Sequence, residues 1–220
     1  MTFSLAGRCA RTGAIGGAIT TSSPAVGARC LYAQAGVGVV LTQNRTDPRL
    51  GPRGLALLAE GCDPEHVIAA LVASTPHAGW RQLGVLHATG SGAVFSGGNV
   101  QSTHAGVVGR DCVAAGNILA SDGVPAAMVA AFERDPELDL PERLLTALAA
   151  GDAAGGEVAA VRSSALLIVR EHSWPYADLR VDSADDPIGA LRALWAEYKP
   201  QAEDYVRRVL DPDSCGPPTM

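Results

Sequence analysis

The alternation of paired strands with paired helices is the feature that most constrains the fold of this chain. Short apolar runs bounded by turn residues predict strands, and apolar residues at helical spacing predict helices that follow one another in pairs. The predicted order is strands, a helix pair, strands, a second helix pair, strands and a closing helix. Single alternation of strands and helices would indicate a doubly wound parallel sheet, whereas this order favours antiparallel sheets covered by helical layers.

The chain begins with a predicted β-hairpin over 2–7 and 14–20, followed by a loop over 22–29 and a buried strand over 35–44. The same patterns predict the later elements. Helices are expected over 51–61, 63–75, 124–133 and 140–150, with a closing helix over 185–210. Strand pairs are expected over 81–88 with 92–98 and over 163–171 with 176–182, and an apolar strand segment is expected within 104–117. Pro200 is expected to kink or split that last helix because proline lacks the N–H donor.

Composition favours one domain. Apolar residues make up 47% and charged residues 18% of the 220 residues, which allows a substantial core. Neither a Gly/Ser-rich linker nor a shift of composition divides the chain. We therefore predict a single domain over 1–210 and a flexible C-terminal tail over 211–220.

The charge pattern argues against nucleic acid and membrane partners. The 17 basic and 23 acidic residues give a net charge of −6, and the longest basic cluster is Arg207–Arg208, so no basic stripe is present for nucleic acid. No apolar run approaches the roughly 20 residues of a membrane span. The start lacks the charged and apolar regions of a secretory signal. A cytoplasmic protein is expected.

Metal, disulfide and cofactor chemistry lack their usual motifs. The five cysteines form no Cys-x-x-Cys pair, and the five histidines show no helical i, i+4 pair, so neither a zinc site nor a disulfide framework is expected. A dinucleotide fingerprint, a phosphate loop and a Gly-x-Ser-x-Gly elbow are also missing. We expect no metal and no cofactor.

Thr2 has two interpretations. Thr is a good strand former, and on that view Thr2 simply starts the first strand. If Met1 is removed, however, the α-amine and the hydroxyl belong to one residue, and an amine with a pKa of about 7.7–8.0 can act as the base for that hydroxyl. Thr2 would then be an N-terminal nucleophile.

Five segments resemble one family. They are MTFSLAGRCARTGAIGGAITTSSPAVGARC, AGVGVVLTQNRTDPRLGPRGLALL, RQLGVL, DCVAAGNILAS and WPYADLRVDSADDPIGALRALWAEY. Together they resemble the bacterial and archaeal family called domain of unknown function 1028, over about 1–210. Members of that family are placed by fold with the N-terminal-nucleophile (Ntn) hydrolases. The resemblance implies an α+β fold of the four-layer αββα type, in which two antiparallel sheets lie between helical layers.

The resemblance also implies a role for Thr2, because Ntn hydrolases attack an amide carbonyl with a first residue that is Thr, Ser or Cys. Proteasome-like members place a lysine near that nucleophile. This chain departs from the pattern, since its single lysine is Lys199 in the last predicted helix. Arg29 is the better candidate for a nearby positive charge, and it would act electrostatically because arginine does not give up its proton near pH 7.

Other candidates each have a structural alternative. Asn117 can donate to a developing oxyanion, or Gly116–Asn117 can be an ordinary turn pair. The candidates for substrate binding are Thr21, Ser22, Ser23, Gln43, Asn44 and His104. The hydroxyls of the first three equally suit a turn before Pro24, the two amides can cap a turn, and the histidine can be structural. Cys112 is expected to be a small buried hydrophobe, and Arg53 either starts a helix or binds a carboxylate.

The leading functional hypothesis is an Ntn-type amidohydrolase that cleaves the C–N bond of a small-molecule amide with Thr2, assembled as a homodimer or a larger homo-oligomer. Two alternatives stay open. The fold can serve as a catalytically silent binding or assembly module with Met1 retained, or the protein can be another C–N hydrolase or deaminase that uses an acid such as Asp47 instead of Thr2.

Overall fold

The computed structural model describes residues 2–100 and 102–216. Within them, ten strands form two antiparallel sheets, a large one of six strands and a small one of four. The large sheet contains β1 (Thr2–Arg8), β2 (Ile15–Thr21), β7 (His104–Gly109), β8 (Cys112–Asn117), β9 (Ser163–Val169) and β10 (Ala177–Val181). The small sheet contains β3 (Leu31–Gln34), β4 (Gly38–Asn44), β5 (Arg81–His87) and β6 (Gly92–Ser96). The large sheet has the order β10-β9-β2-β1-β8-β7, and the small sheet has the order β3-β4-β5-β6. The strand β1 is therefore central in the large sheet.

Helices cover the outer face of each sheet. The helices of the described chain are α1 (Gly27–Cys30), α2 (Leu50–Ala59), α3 (Pro64–Ala73), α4 (Val124–Arg134), α5 (Leu140–Ala153), α6 (Pro187–Tyr198) and α7 (Ala202–Leu210). Helices α2 and α3 share a buried apolar cluster with the small sheet, and α4, α5 and α6 share another with the large sheet. A third apolar cluster lies between the sheets. The predicted four-layer αββα sandwich is confirmed.

Local sequence explains how the helices begin and which faces they bury. Asp63 caps α3 by accepting a hydrogen bond from the His66 N–H at 3.0 Å, and Pro64 occupies the first turn, where its missing N–H costs nothing. On the other side, Phe132 of α4 is fully buried in the same cluster as Phe3 of β1. Each such side chain contributes about 1.5–3 kcal/mol through burial, which holds the helices against the sheets.

Small residues bring the two sheets close together beside β8. A Cβ atom on Gly84 of β5 would lie 3.4 Å from Val113 Cγ1, and a Cβ atom on Gly92 of β6 would overlap Val113 Cγ2. Gly106 of β7 similarly faces Val94, at 3.0 Å. Because no side chain intervenes at these positions, residues of β5 can reach the main chain of β7 and β8.

The chain between β2 and β4 differs from the prediction. The segment 22–29, expected to be a loop, contains the first residues of α1, and the strand predicted over 35–44 begins at Gly38. A four-residue strand, β3, precedes it and was not predicted. The turn between β3 and β4 uses Gly36 at φ +70°, a conformation that glycine adopts without strain. Strand β3 is too short to show a period of its own.

The closing helix divides as predicted at Pro200. Helix α6 ends at Tyr198, a 3₁₀ turn covers Lys199–Gln201, and α7 begins at Ala202. The predicted tail is described only to residue 216 and contains a 3₁₀ turn over Pro212–Ser214. Its last four residues, and Met1, lie outside the described residues. The domain boundaries and the flexibility of the tail stay predictions. In the described part of the chain, no helix has both the length and the apolar character to cross a bilayer.

The close approach of the sheets makes a testable prediction. Gly92→Ala adds a methyl group that overlaps the stiff, buried Val113 side chain, so we expect a loss of about 1–3 kcal/mol in the free energy of unfolding. The matched control is Gly98→Ala, since a Cβ atom there meets nothing within 4 Å and the expected change is within about 0.5 kcal/mol. Chemical denaturation measures both. Equal stabilities of the two variants would contradict the tight contact.

Candidate functional site

At one end of the sandwich the layer between the sheets becomes polar. In register, His104 of β7 faces Asn117 of β8, and Asn117 faces Thr2 of β1. Residues paired across antiparallel strands share a face of the sheet, so these side chains lie on the face toward the small sheet. The row continues into β2, because the Thr2 and Thr21 hydroxyl oxygens are 3.3 Å apart, and Thr21 pairs with Ser163 of β9.

Gln82 connects this row to the small sheet. Its Nε2 donates to the main-chain oxygens of Gly116, at 2.9 Å, and Ala105, at 3.3 Å, and to Ser96 Oγ at 3.0 Å. Carbonyl oxygens only accept hydrogen bonds, so the amide nitrogen of Gln82 must face β7 and β8. Its Oε1 is therefore an acceptor, and it receives Gln43 Nε2 at 2.7 Å and Asn117 Nδ2 at 3.0 Å.

The orientation of Gln82 determines the other amides in turn. Since Gln43 donates through Nε2, its Oε1 faces the other way and accepts from the Ser4 hydroxyl at 2.7 Å. Since Asn117 donates through Nδ2, its Oδ1 is the atom left over. Among the described residues, that oxygen is buried without a hydrogen bond partner, and the second hydrogen of Nδ2 has none either. Asn117 thus keeps one donor and one acceptor unused.

Glu157 lies beside the same row. It is 8% exposed, and Oε2 accepts a hydrogen bond from the Ser22 N–H at 3.2 Å, whereas Oε1 is buried and has no partner among the described residues. Burial raises the pKa of the Glu157 carboxyl above its usual value, and hydrogen bonding to the Ser22 and Thr21 side chains offsets this only in part. A carboxyl with a raised pKa next to hydroxyl side chains is a candidate proton acceptor.

A strained turn holds Glu157 in place. Leu119 and Glu157 form a short antiparallel bridge, supported by a hydrogen bond from the Val158 N–H to the Ile118 oxygen at 3.1 Å. Ile118, which follows Asn117, has φ +54°, and the left-handed region is unfavourable for a β-branched residue by about 1–3 kcal/mol. The left-handed conformation of Ile118 directs the chain after Asn117 toward Glu157.

Several predicted site residues contact other partners. Arg29 donates to the main-chain oxygens of Pro24 and Ala25, at 2.7 and 2.8 Å, and to Ser23 Oγ at 2.6 Å, so it closes its own loop. Asn44 has φ +68° and donates to the Trp80 oxygen at 2.8 Å. The arrangement brings together Thr2, Thr21, Ser22, Gln43 and Asn117, while Arg29, Ser23 and Asn44 are tied to turns. The catalytic and binding roles of all of them stay predictions.

His104 and Lys199 occupy different surroundings. His104 shares the register row, and its Nδ1 lies 2.7 Å from the Ser102 oxygen. Lys199 lies in the outer helical layer, where its Nζ is 3.2 Å from Glu142. The lysine that proteasome-like members place near the nucleophile is therefore not supplied by Lys199.

Three further residues have clear structural partners. Asp47 is held by Arg49 through two contacts of 2.8 Å, and the hydrogen bonds from Arg49 lower the pKa of its carboxyl to about 2. Arg53 donates to Ser74 Oγ at 2.6 Å. Cys112 is fully buried, and burial raises the pKa of its thiol to about 12. Asp47 is consequently a weak base, and Cys112 is the small buried hydrophobe expected from the sequence.

Ser4, Gln82 and Glu157 were missed by the sequence analysis. Ser4 stands two residues after Thr2, so strand alternation alone places it on the same face. Gln82 is the second residue of its strand and has the same inward position as Gln43. Glu157 follows two glycines in the connection between α5 and β9, where no sequence pattern indicates a partner. Among residues 2–100 and 102–216, His, Cys, Asp and Glu side chains form no group of three or more that could hold a metal ion.

Comparison with known proteins agrees with the resemblance seen in the sequence. The model of a family of unknown function, DUF1028, matches residues 2–191. The crystal structure of protein SPO2555 from Silicibacter pomeroyi, assigned to the same family, is 32% identical, with a TM-score of 0.84 over 90% of this chain and 85% of that chain. Anbu (ancestral beta-subunit) from Yersinia bercovieri is 12% identical, with a TM-score of 0.39 over 99% of this chain and 100% of that chain. Among the curated proteins none matches.

The buried Glu157 predicts an unusual dependence of stability on pH. Its folded pKa is raised above the usual 4.5, so the folded protein binds this proton more tightly than the unfolded chain does. Its contribution is therefore most favourable below about pH 4.5 and is lost as the pH rises through the folded pKa. We expect Glu157→Gln to raise the free energy of unfolding at neutral pH by about 1–3 kcal/mol and to lose this advantage in acid.

The matched control is Asp47→Asn, for which the sign is opposite. The pKa of Asp47 is lowered to about 2, so its contribution is present above pH 3.8 and is lost as the pH falls through about 2. Asp47→Asn should therefore destabilise the protein at neutral pH. Denaturant unfolding across a pH series measures both variants, and a destabilised Glu157→Gln protein at neutral pH would refute the account of Glu157.

Proposed function

The chain belongs to the family of unknown function DUF1028, and we propose that it is an Ntn-type amidohydrolase in which Thr2, exposed by removal of Met1, cleaves a small-molecule amide. The observation that supports this most directly is the position of Thr2. It is the first residue of a central strand, 5% exposed, and its hydroxyl lies in the polar row between the sheets. Met1 lies outside the described residues, so its removal is part of the proposal.

The proposed reaction uses groups of Thr2 itself. Its Oγ1 attacks the amide carbonyl carbon, the hydroxyl proton passes to a base, and the C–N bond breaks as the leaving nitrogen takes up a proton. The α-amine of the exposed Thr2 has a pKa of about 7.7–8.0 and is available as a base because it belongs to the same residue as the hydroxyl. Water then hydrolyses the acyl ester and regenerates Thr2. These steps require no metal and no organic cofactor.

Strand pairing supports a rigid nucleophile. β1 pairs with β8 from Thr2 onward, and with β2 from Phe3 onward. A reactive side chain on a strand that is paired on both sides loses little freedom when substrate binds, and precise placement of this kind is what catalysis by proximity requires.

Asn117 is suited to stabilise the oxyanion. It is fully buried and adjacent to Thr2 in register, and the unused hydrogen of its Nδ2 can donate to the oxygen that becomes negative during attack. Its link to Gln82 holds the amide before substrate arrives, so little reorganisation accompanies the reaction.

The same polar end suits an amide substrate. The side chains of Thr21, Ser22 and Gln43 offer hydroxyl and amide groups, which match the donors and acceptors of an amide without demanding a charge. Ser23 and Asn44 hydrogen-bond within turns, and His104 lies on the edge strand β7, so in this proposal they contact only a longer substrate. A small uncharged or partly polar amide is the substrate class we propose, and assembly as a homodimer or larger remains part of the proposal.

The first test determines whether Thr2 is exposed and reactive. Protein made without an N-terminal tag should have an intact mass that lacks Met1, and 4-nitrophenyl acetate should add one acetyl group to it. Thr2→Ala should abolish that addition, whereas Thr2→Ser keeps a hydroxyl and should retain it. A mass that includes Met1, or full acetylation of Thr2→Ala, would show that Thr2 is not the nucleophile and would favour the silent module.

A second test addresses Asn117. Asn117→Ala removes the proposed oxyanion donor, so the rate of acetylation measured by release of 4-nitrophenolate should fall by about 10²–10³-fold. The variant also loses one buried hydrogen bond, which costs about 1 kcal/mol and leaves the fold intact. Asn99→Ala removes an exposed amide and serves as the control. An unchanged rate in Asn117→Ala would remove this residue from the mechanism.

A further inference from the structure

One side chain, that of Thr21, connects the nucleophile to a buried carboxyl. The Thr2 and Thr21 hydroxyl oxygens are 3.3 Å apart, and the Thr21 hydroxyl is close enough to Glu157 to lower the pKa of its carboxyl. Glu157 is more than nine-tenths buried, and within residues 2–100 and 102–216 its Oε1 has no hydrogen bond partner. No other role described above uses that oxygen.

The carboxylate of Glu157 determines the direction of the hydrogen bonds that join Thr2, Thr21 and Glu157. An ionised carboxylate only accepts hydrogen bonds, so Thr21 must turn its O–H toward Glu157. The lone pairs of Thr21 Oγ1 then face Thr2, which donates its own hydrogen to them. Catalytic hydrogen bonds are often long in the ligand-free state and shorten in the reacting complex, which is consistent with the 3.3 Å separation.

We propose that Glu157 takes the hydroxyl proton of Thr2 through Thr21, and so acts as a positioning residue and proton acceptor for the nucleophile. This inference rests on the proposed function. As the Thr2 Oγ1–carbon bond forms, the Thr2 proton moves to Thr21 Oγ1 and the Thr21 proton moves to the carboxylate. The negative charge passes from Glu157 to the substrate oxygen, and as the C–N bond breaks the leaving nitrogen receives a proton from the α-ammonium of Thr2.

The relay resolves a difficulty of the α-amine as sole base. An amine with a pKa of about 7.7–8.0 is mostly protonated at pH 7, and proteasome-like enzymes place a lysine near it, which Lys199 does not do here. A protonated amine favours the ionised form of a carboxyl group close to it, so the proposal assigns the negative charge to Glu157 and the positive charge to the α-amine. The base and the acid of the reaction are then two separate groups.

The test measures the acetylation rate with 4-nitrophenyl acetate in the full chain lacking Met1. Glu157→Gln and Thr21→Val should each slow acetylation by about 10²-fold, the lower end of general base catalysis. Thr21→Ser keeps the hydroxyl, so it should restore most of the rate that Thr21→Val loses. The Thr21→Val/Glu157→Gln double variant should be no slower than the slower single variant, because both remove the same relay.

The pH dependence provides a readout that a purely structural role would not change. In the wild-type protein the rate should follow the ionisation of Glu157, whereas in Glu157→Gln that dependence should disappear and the rate should follow the α-amine, falling below about pH 8. Glu157→Gln should also be more stable than the wild-type protein at neutral pH, so its slower reaction cannot reflect unfolding.

The two proposals fail in different ways. Wild-type acetylation on Thr2 with an unchanged rate and pH profile in Glu157→Gln overturns the relay and leaves Thr2 as the nucleophile. Additive losses in the double variant also overturn it, since independent effects do not form one relay. A wild-type protein whose Thr2 is never acetylated overturns the proposed function, and the relay with it.

Discussion

The side-chain amide of Gln82 is the interaction on which the polar end of the sandwich depends. It is held by main-chain oxygens of both β7 and β8, which cannot reverse their role as acceptors. The orientation of the Gln82 amide determines the orientations of the Gln43 and Asn117 amides, and the Gln43 amide in turn orients the Ser4 hydroxyl. A buried network in which every amide is oriented by its neighbour is rigid. In the described part of the chain, this network leaves Asn117 Oδ1 without a hydrogen bond partner and one hydrogen of Asn117 Nδ2 unused.

This network is possible because apolar packing around it is tight. Glycines at the contact between the sheets let β5 and β6 approach β8, and the cluster of aliphatic side chains between the sheets excludes water on the side away from the site. In such surroundings hydrogen bonds are stronger and unpaired groups are more costly than in water. The same contact that places Gln82 therefore also makes the unpaired oxygens of Asn117 and Glu157 expensive.

The sequence predicted part of this arrangement and could not predict the rest. The order of strand and helix blocks predicted antiparallel sheets covered by helical layers, and the family resemblance implied the αββα type. Thr2 was indicated by its place after Met1, and Gln43 and Asn117 were indicated by their side-chain amides. β3 was missed because four residues show no period. Glu157 was missed because its role arises from contacts with residues more than a hundred positions away, such as Ser22, and nothing in its own segment records them. Arg29 looked close to Thr2 along the chain, but its donors serve its own loop.

Several energetically unfavourable features of the structure lie close together, and this clustering supports a functional site. Ile118 is strained, Asn117 Oδ1 and Glu157 Oε1 lack partners in the part of the chain that the structure describes, and burial disfavours the charge of Glu157. All of these groups lie within one turn and the segment that it pairs with. Each feature costs on the order of 1–3 kcal/mol, a large part of the stability of a domain of this size. A core under selection for stability alone would replace these groups with apolar ones, as it does at the opposite end of the same strands. Energetically unfavourable groups of this kind are retained where a functional site requires them. We therefore attribute these groups to the site of Thr2 rather than to imperfect packing.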